Sequence, residues 1–218
     1  MAEHFTPVAR AKSALDNRKL NLSTKCPADP TKWSSLVWGL FANNPRITVW
    51  TNDPSDQGES KGYGKISANL DLPVFYQFLA KLSEVIDHVG EIKYKIENKN
   101  FIFPQGKRSE KPVAVSELWF GKDKDGLIWL SVTAHNRPKI KFPFAPSDFH
   151  TLCNGDGTPV SLAEVSVLYA KGYVRILENM MTNMACDNYI DPPKRDTGSK
   201  YPVKRQDNAG FSDEDAPF

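Results

Sequence analysis

Two stretches of the chain alternate apolar and polar residues, and each is followed by a segment whose apolar residues recur at helical spacing. Strict alternation predicts β-strands, and the longer period predicts an amphipathic helix. The first stretch predicts strands at 36–41, 46–50 and 62–70, followed by a helix at 73–88. The second predicts strands at 91–103, 115–121, 127–133 and 139–144, followed by a helix at 161–186. The order of strands then helix therefore occurs twice.

This order favours an α+β fold in which antiparallel β-sheets are packed by helices. Alternation also assigns strand residues to faces, because successive side chains point to opposite sides of a sheet. One face is aliphatic and is expected to form the core: Val37, Ile47, Val49, Ile66, Leu118, Phe120, Ile128, Leu130, Val132, Ile140 and Phe142. The first helix is expected to add its own apolar stripe: Phe75, Phe78, Leu79, Leu82 and Ile86.

Composition divides the chain into four parts. Residues 1–32 mix charged residues and prolines with little periodicity, which indicates an N-terminal arm. Residues 33–188 hold every predicted element and form the α+β domain. Residues 189–211 are rich in Pro, Gly and charge without apolar periodicity, which is typical of a flexible linker. Residues 212–218 form an acidic tail.

The opposite strand face combines aromatic rings with cations: Trp38, Arg46, Trp50, Tyr63, Lys65, Lys93, Lys95, Trp119, Trp129, Lys139 and Lys141. Unpaired bases stack on flat rings while cations contact phosphates, so this face predicts single-stranded nucleic-acid binding without strong sequence preference. The alternative is that the tryptophans are core residues and the lysines a solvated face. A register slip of one residue would exchange the two sets.

Charge is distributed unevenly along the chain. The formal net charge is +2, but residues 206–218 carry four acidic residues and no Lys or Arg, which leaves +6 on the rest. A basic body attracts a polyanion. An acidic tail can compete for the same surface or bind a basic partner.

The tail itself, SDEDAPF, is patterned. The ring of Phe218 can fill a small apolar pocket, and Asp213, Glu214 and Asp215 can pair with Arg or Lys around it. Pro217 limits the entropy lost when the tail docks. We therefore expect a partner-binding segment.

SDEDAPF resembles the tip of bacterial single-stranded DNA-binding proteins, which end in acidic residues followed by Pro-Phe, and the acidic Phe-terminated tails of their phage counterparts. The resemblance implies a protein that coats and protects single-stranded DNA in replication, recombination or repair. It also implies a tail that recruits a polymerase, helicase, primase or nuclease and competes with DNA when idle. If the protein is phage-encoded, its location is the host bacterial cytoplasm.

The repeated order of strands then helix looks like the Whirly class of single-stranded DNA-binding folds, whose sheets bind nucleic acid. A divergent OB-fold barrel with a helix inserted at 73–88 is the alternative. Homo-oligomer formation is left open.

Enzymatic motifs are absent from the sequence: no Walker loop, GxGxxG, HExxH or GxSxG occurs. His150 and Cys153 have metal-ligand spacing, but no second pair accompanies them. We expect no catalytic residue, metal or cofactor. The alternative functions are a nuclease that uses carboxylates such as Glu84, Glu91, Glu97 and Glu117, and an RNA-binding regulatory protein.

Apolar runs long enough for a membrane span and a signal peptide are also absent. Three cysteines without framework spacing are expected to be reduced. Both observations favour a cytoplasmic protein with no membrane partner.

Overall fold

The computed structural model describes residues 20–56, 64–146 and 148–190. Within them the strands are β1 (Leu22–Lys25), β2 (Trp33–Phe41), β3 (Asn44–Trp50), β4 (Lys65–Asn69), β5 (Ile92–Asn100), β6 (Val113–Lys122), β7 (Ile128–Thr133) and β8 (Phe142–Pro143). The helices are α1 (Leu72–Asp87), which follows β4, and α2 (Leu162–Asp187), which follows β8.

The strands form two antiparallel sheets, each in chain order. The first sheet runs β1-β2-β3-β4 and the second runs β5-β6-β7-β8, and a helix follows each. The α+β fold class and the repeated order are confirmed. Among the described residues neither sheet closes into a barrel, so the OB alternative finds no support there.

The core lies where the two sheets meet the two helices. All five predicted residues of the α1 stripe are buried, and α1 begins with Pro73 in its first turn, where a missing N–H costs nothing. The ring of Phe78 packs edge-on against Phe120 of β6 with centroids 5.1 Å apart. Edge-to-face pairs of this kind stabilise cores by about 0.5–1.5 kcal/mol beyond area burial. Helix α1 is thereby attached to the second sheet as well as to the first.

The predicted N-terminal arm, residues 1–32, contains a strand that the sequence did not indicate, because β1 lies within it. Leu22 pairs with Leu36 of β2, and both Leu22 and Cys26 are buried. The hydroxyl of Tyr173 in α2 donates to the carbonyl of Leu20 at 2.9 Å, which holds the start of the segment. Strand β1 was not predicted because it has four residues and one large apolar side chain, which is too few to show an alternation of apolar and polar positions. Residues 1–19 lie outside the described residues.

The face assignment was wrong in β2 by one residue. Leu36 and Trp38 are buried, whereas Val37 lies half-buried on the opposite face. The ring of Trp38 packs against Phe75 and Phe78 of α1, with centroids 5.4 and 5.7 Å away. The run LVWGLF is apolar on both faces, so alternation carries no information there. The other ten residues of the predicted aliphatic set are buried.

Three predicted strands are shorter in the structure. The strand at 62–70 begins at Lys65, that at 91–103 ends at Asn100, and that at 139–144 is reduced to Phe142–Pro143. Proline at 138 and 143 removes two backbone donors, which restricts ladder pairing at that edge. Lys139 and Lys141 therefore precede β8 rather than lying in a strand.

Candidate nucleic-acid interface

The first sheet has an outer face, opposite the core, that carries no carboxylate in its described strands. The register places Arg46 opposite Asn69, Thr48 opposite Ser67, and Trp50 opposite Lys65. Strand alternation in β2, β3 and β4 places the following residues on this outer face: Trp33, Ser35, Val37, Gly39, Phe41, Asn44, Arg46, Thr48, Trp50, Lys65, Ser67 and Asn69. The face is positively charged and partly aromatic.

Cations on this face stack on its rings. The guanidinium carbon of Arg46 lies 3.6 Å from the ring centroid of Phe41, and Lys65 Nζ lies 5.4 Å from that of Trp50. Arg46 Nε also donates to Asn69 Oδ1 at 2.6 Å, which orients the guanidinium. Phe41, Trp50 and Trp33 are between 43% and 56% exposed. Rings this open beside cations can accept a stacked base while the cation contacts a phosphate.

A groove of about 410 Å³ adjoins the face. The sheet contributes Arg46, Trp50 and Lys65 to its lining, α2 contributes Met184, and the segment after α2 contributes Ile190. Its volume lies within the roughly 300–1,000 Å³ typical of ligand sites.

The rim of the groove is fixed by reciprocal hydrogen bonds. Asn43 Nδ2 donates to the carbonyl of Ile190 at 2.7 Å, and the amide of Ile190 donates to Asn43 Oδ1 at 2.8 Å. The β2–β3 turn therefore holds the last described residue of the chain at the groove.

The second sheet's outer face carries Lys93 and Lys95 of the predicted cations, but it also carries carboxylates. Lys95 Nζ forms salt bridges with Glu97 at 2.7 Å and with Glu117 at 2.8 Å, and Lys99 pairs with Glu97 at 3.0 Å. The indole of Trp119 donates to Glu117 Oε2 at 2.8 Å. Hydrogen bonds from Lys95 and then Lys99 lower the pKa of Glu97 to about 2. Both Lys95 and Trp119 are thus engaged within the protein.

Trp129 is not available as a stacking surface, which corrects the sequence-based assignment. Its ring is only 7% exposed, and Lys141 Nζ lies 4.6 Å from its centroid. Every residue of β7 is buried, on both faces of the strand. The sequence IWLSVT alternates only weakly, so its pattern did not distinguish a strand covered on both faces from one with a solvated face.

Lys93 and Lys139 are both exposed, and they lie at separate places. Lys93 lies on the outer face of β5, while Lys139 lines a cavity of about 490 Å³ between the start of β6 and residues 134–139. Tyr63 lies outside the described residues. The predicted site residues within the described part of the chain are therefore not brought together on one surface.

An ion pair joins the two sheets near Lys65. The guanidinium of Arg137 donates two hydrogen bonds to the carboxylate of Asp56, one of 2.8 Å from its terminal nitrogen, and a third of 3.3 Å to the carbonyl of Lys65. The hydroxyl of Thr51 donates to the same carboxylate at 2.6 Å. Burial opposes ionisation of Asp56, but the hydrogen bonds from Arg137 and Thr51 outweigh it and lower its pKa.

Sequence reasoning missed two residues of the first face, Trp33 and Phe41. Both share a face with Val37, so the slip in β2 hid them. A signal for them existed in the two-residue period of a strand. Residues 34, 36 and 38 are buried, and the residues that alternate with them, at 33, 35, 37, 39 and 41, form the opposite face.

The predicted tail residues Asp213, Glu214, Asp215, Pro217 and Phe218 lie outside the described residues, as do residues 191–211 of the predicted linker. Within the described ranges no helix is long and apolar enough to cross a membrane. In the same ranges no three His, Cys, Asp or Glu residues are placed to hold a metal ion.

Comparisons with protein-family models, with curated proteins and with solved structures found no match to this chain.

Proposed function

We propose that this protein binds single-stranded DNA without sequence specificity, chiefly through the outer face of its first sheet, and that it coats and protects such DNA. The observation that carries the proposal is the pairing of exposed rings with cations on a face without carboxylates. Base stacking on an aromatic ring contributes roughly 1–3 kcal/mol per base and depends little on base identity. Cations beside the rings supply the salt-dependent attraction to phosphates.

The fold we propose is Whirly-like. The support is the order of four antiparallel strands and a helix, repeated once, together with sheets that stay open in the described residues. An open sheet leaves a broad outer face on which an extended strand can lie.

We further propose that residues 212–218 recruit replication or repair enzymes and compete with DNA for the first face. The acidic Pro-Phe sequence supports recruitment. The position of Ile190 supports competition, because the segment that leads to the tail starts at the groove beside Arg46 and Lys65.

The test is a titration of intrinsic tryptophan fluorescence with oligo-dT, oligo-rU and duplex DNA across a salt series. Strong quenching by oligo-dT, a weaker response to duplex and a steep salt dependence are the expected results, because Trp33 and Trp50 are exposed. Preference for oligo-rU over oligo-dT would instead favour an RNA-binding protein. The absence of quenching by any of the three would contradict the proposal.

The same titration on a variant lacking residues 206–218 tests competition by the tail. Removing its four acidic residues should tighten oligo-dT binding at low salt. Unchanged affinity would contradict competition and leave recruitment to be tested by pull-down with defined replication enzymes.

A further inference from the structure

A two-stranded ribbon extends from the second sheet. Strand β7 pairs with β6 only between Glu117 and Lys122, whereas the β5–β6 pairing continues through Asn98–Ser116 to Asn100–Val113. The register shifts at Asn98–Lys99, where a bulge adds local twist. We call residues 98–116 the ribbon and residues 101–112 its tip. Most of the ribbon's residues are exposed, so it protrudes from the domain.

The tip is ordered by its own hydrogen bonds. The amide of Ser109 donates to the carbonyl of Ile102 at 2.8 Å, and its hydroxyl donates to the carbonyl of Lys111 at 2.9 Å while accepting from the amide of Ile102 at 3.2 Å. Gln105 and Gly106 turn the chain with φ of 52° and 79°. A tip held in this way loses little conformational entropy on binding.

The tip presents one open aromatic ring among cations. Phe103 is 64% exposed, and Lys107, Arg108 and Lys111 follow it within the tip, where Glu110 is the one acidic residue. The guanidinium carbon of Arg108 lies 3.6 Å from the ring centroid of Phe101, which is half-buried, whereas Phe103 is exposed. An exposed ring beside excess positive charge suits an anionic ligand with a flat apolar surface.

The shape of the tip selects among nucleic-acid ligands. A strand can lie along the first face, which is broad, but a narrow convex tip offers no such path. It can instead place one ring against the last base pair of a duplex, since aromatic and apolar side chains stack at exposed or opened base steps. The cations of the same tip can then contact phosphates of the duplex backbones.

We propose that the tip of the ribbon binds the duplex side of a junction between double-stranded and single-stranded DNA. Phe103 stacks on the terminal base pair, and Lys107 and Lys111 contact phosphates. The proposal relies on the proposed function only for the single-stranded side of the junction, which the first face binds.

The experiment compares a duplex carrying a dT tail with a dT oligonucleotide of the tail's length. The wild-type protein should prefer the tailed duplex by about tenfold, the order expected for one stacked ring. Phe103→Ala should reduce that preference several-fold, leaving only the part that the phosphate contacts of Lys107 and Lys111 supply, and should leave oligo-dT affinity unchanged. Phe149→Ala is the matched control, because Phe149 is 91% exposed and lies far from the ribbon in sequence, and it should change neither value.

The cations are tested by the salt dependence of binding. The double variant Lys107→Gln/Lys111→Gln should reduce the salt slope for the tailed duplex by about 1.8, since each lost duplex phosphate contact reduces it by about 0.9. The slope for oligo-dT should be unchanged. Lys124→Gln, at the exposed β6–β7 turn, is the control and should change neither slope.

Four outcomes would overturn the proposal. Equal wild-type affinity for the tailed duplex and oligo-dT would remove the junction preference while leaving the proposed function intact. If Phe103→Ala weakens binding of the tailed duplex and of oligo-dT equally, the tip belongs to the single-strand site. A change in sedimentation of Phe103→Ala with an unchanged preference would make the tip a self-association surface. Failure of the wild type to bind either ligand would contradict both proposals.

Discussion

The outer faces of the two sheets have similar residue types but different electrostatics. On the first face, Arg46 and Lys65 stack on exposed rings and no carboxylate shares the described strand positions. On the second, Lys95 is held between two glutamates, one of which also binds Trp119. The number of Lys and Trp residues on a strand face therefore does not by itself indicate whether that face can bind DNA. What matters is whether the cations share their strand face with carboxylates, as Lys95 does and Lys65 does not within the described strands.

The largest expected difference between the faces concerns stability. Trp129→Ala should lower the free energy of unfolding by about 3–5 kcal/mol, because the ring is buried in β7. Trp50→Ala should lower it far less, since that ring is half-exposed. Urea unfolding followed by circular dichroism measures both. Comparable losses in the two variants would mean that Trp50 is also a packing residue.

The ion pair between the sheets gives the next largest effect. Asp56→Asn should destabilise the protein by roughly 1.5–3 kcal/mol, because the hydrogen bonds from Arg137 to a buried carboxylate are charge-assisted. The folded-state pKa of Asp56 lies below 3.8, so this stabilisation is complete above that pH and is lost as the pH falls through the lowered value. Unfolding measured between pH 7 and pH 2 should therefore show wild type and variant converging in acid. A constant difference would contradict this origin.

Binding of oligo-dT distinguishes the outer faces of the two sheets more directly than stability does. Trp50→Ala should weaken oligo-dT binding by roughly 1–3 kcal/mol, the contribution of one stacked base. Trp119→Ala should weaken it less, because that indole is hydrogen-bonded to Glu117. Equilibrium titration by fluorescence anisotropy of a labelled oligonucleotide avoids dependence on the protein's own fluorescence. A larger loss in Trp119→Ala would reverse the assignment of the faces.

The salt dependence of binding should differ between cations of the two faces. Lys65→Gln should reduce the slope for oligo-dT by about 0.7, the value expected for one lost phosphate contact on a single strand. Lys95→Gln should leave the slope unchanged, because Lys95 is neutralised by Glu97 and Glu117. A reduced slope in Lys95→Gln together with an unchanged slope in Lys65→Gln would place the DNA on the second sheet.

The smallest expected effect comes from freeing the second face. The double variant Glu97→Gln/Glu117→Gln releases Lys95 and Lys99 from their salt bridges. Its oligo-dT affinity should rise slightly, with a steeper salt slope, because the released cations become available to phosphates. If affinity and slope are both unchanged, the second face is not limited by its carboxylates.

Local patterns predicted the fold well where one face was clearly apolar. The apolar stripe of α1 and ten of the eleven strand residues expected in the core were predicted correctly. In these elements the buried positions recur at the regular spacing of a helix or a strand. The prediction failed in β2 and β7, where both faces carry apolar residues and the period disappears. It also missed β1, which is stabilised by pairing with β2 rather than by its own sequence.

The candidate site was less predictable than the fold for a different reason. The residue types of both outer faces were recognised, but the neutralisation of Lys95 depends on Glu97 and Glu117 meeting across β5 and β6. The exposed tip at Phe103 depends on β7 ending its pairing at Glu117. Both features are set by register between strands, which alternation within one strand does not reveal.

Binding of the single strand to the first face is tested most directly with protein labelled with 5-fluorotryptophan and observed by fluorine NMR. Its five tryptophans comprise Trp33 and Trp50 on the first face, Trp119 on the second, and the buried Trp38 and Trp129. Addition of oligo-dT should shift or broaden the signals of Trp33 and Trp50 most strongly, with assignments from single Trp→Phe variants. A response confined to Trp119 would contradict the account and place the single strand on the second sheet.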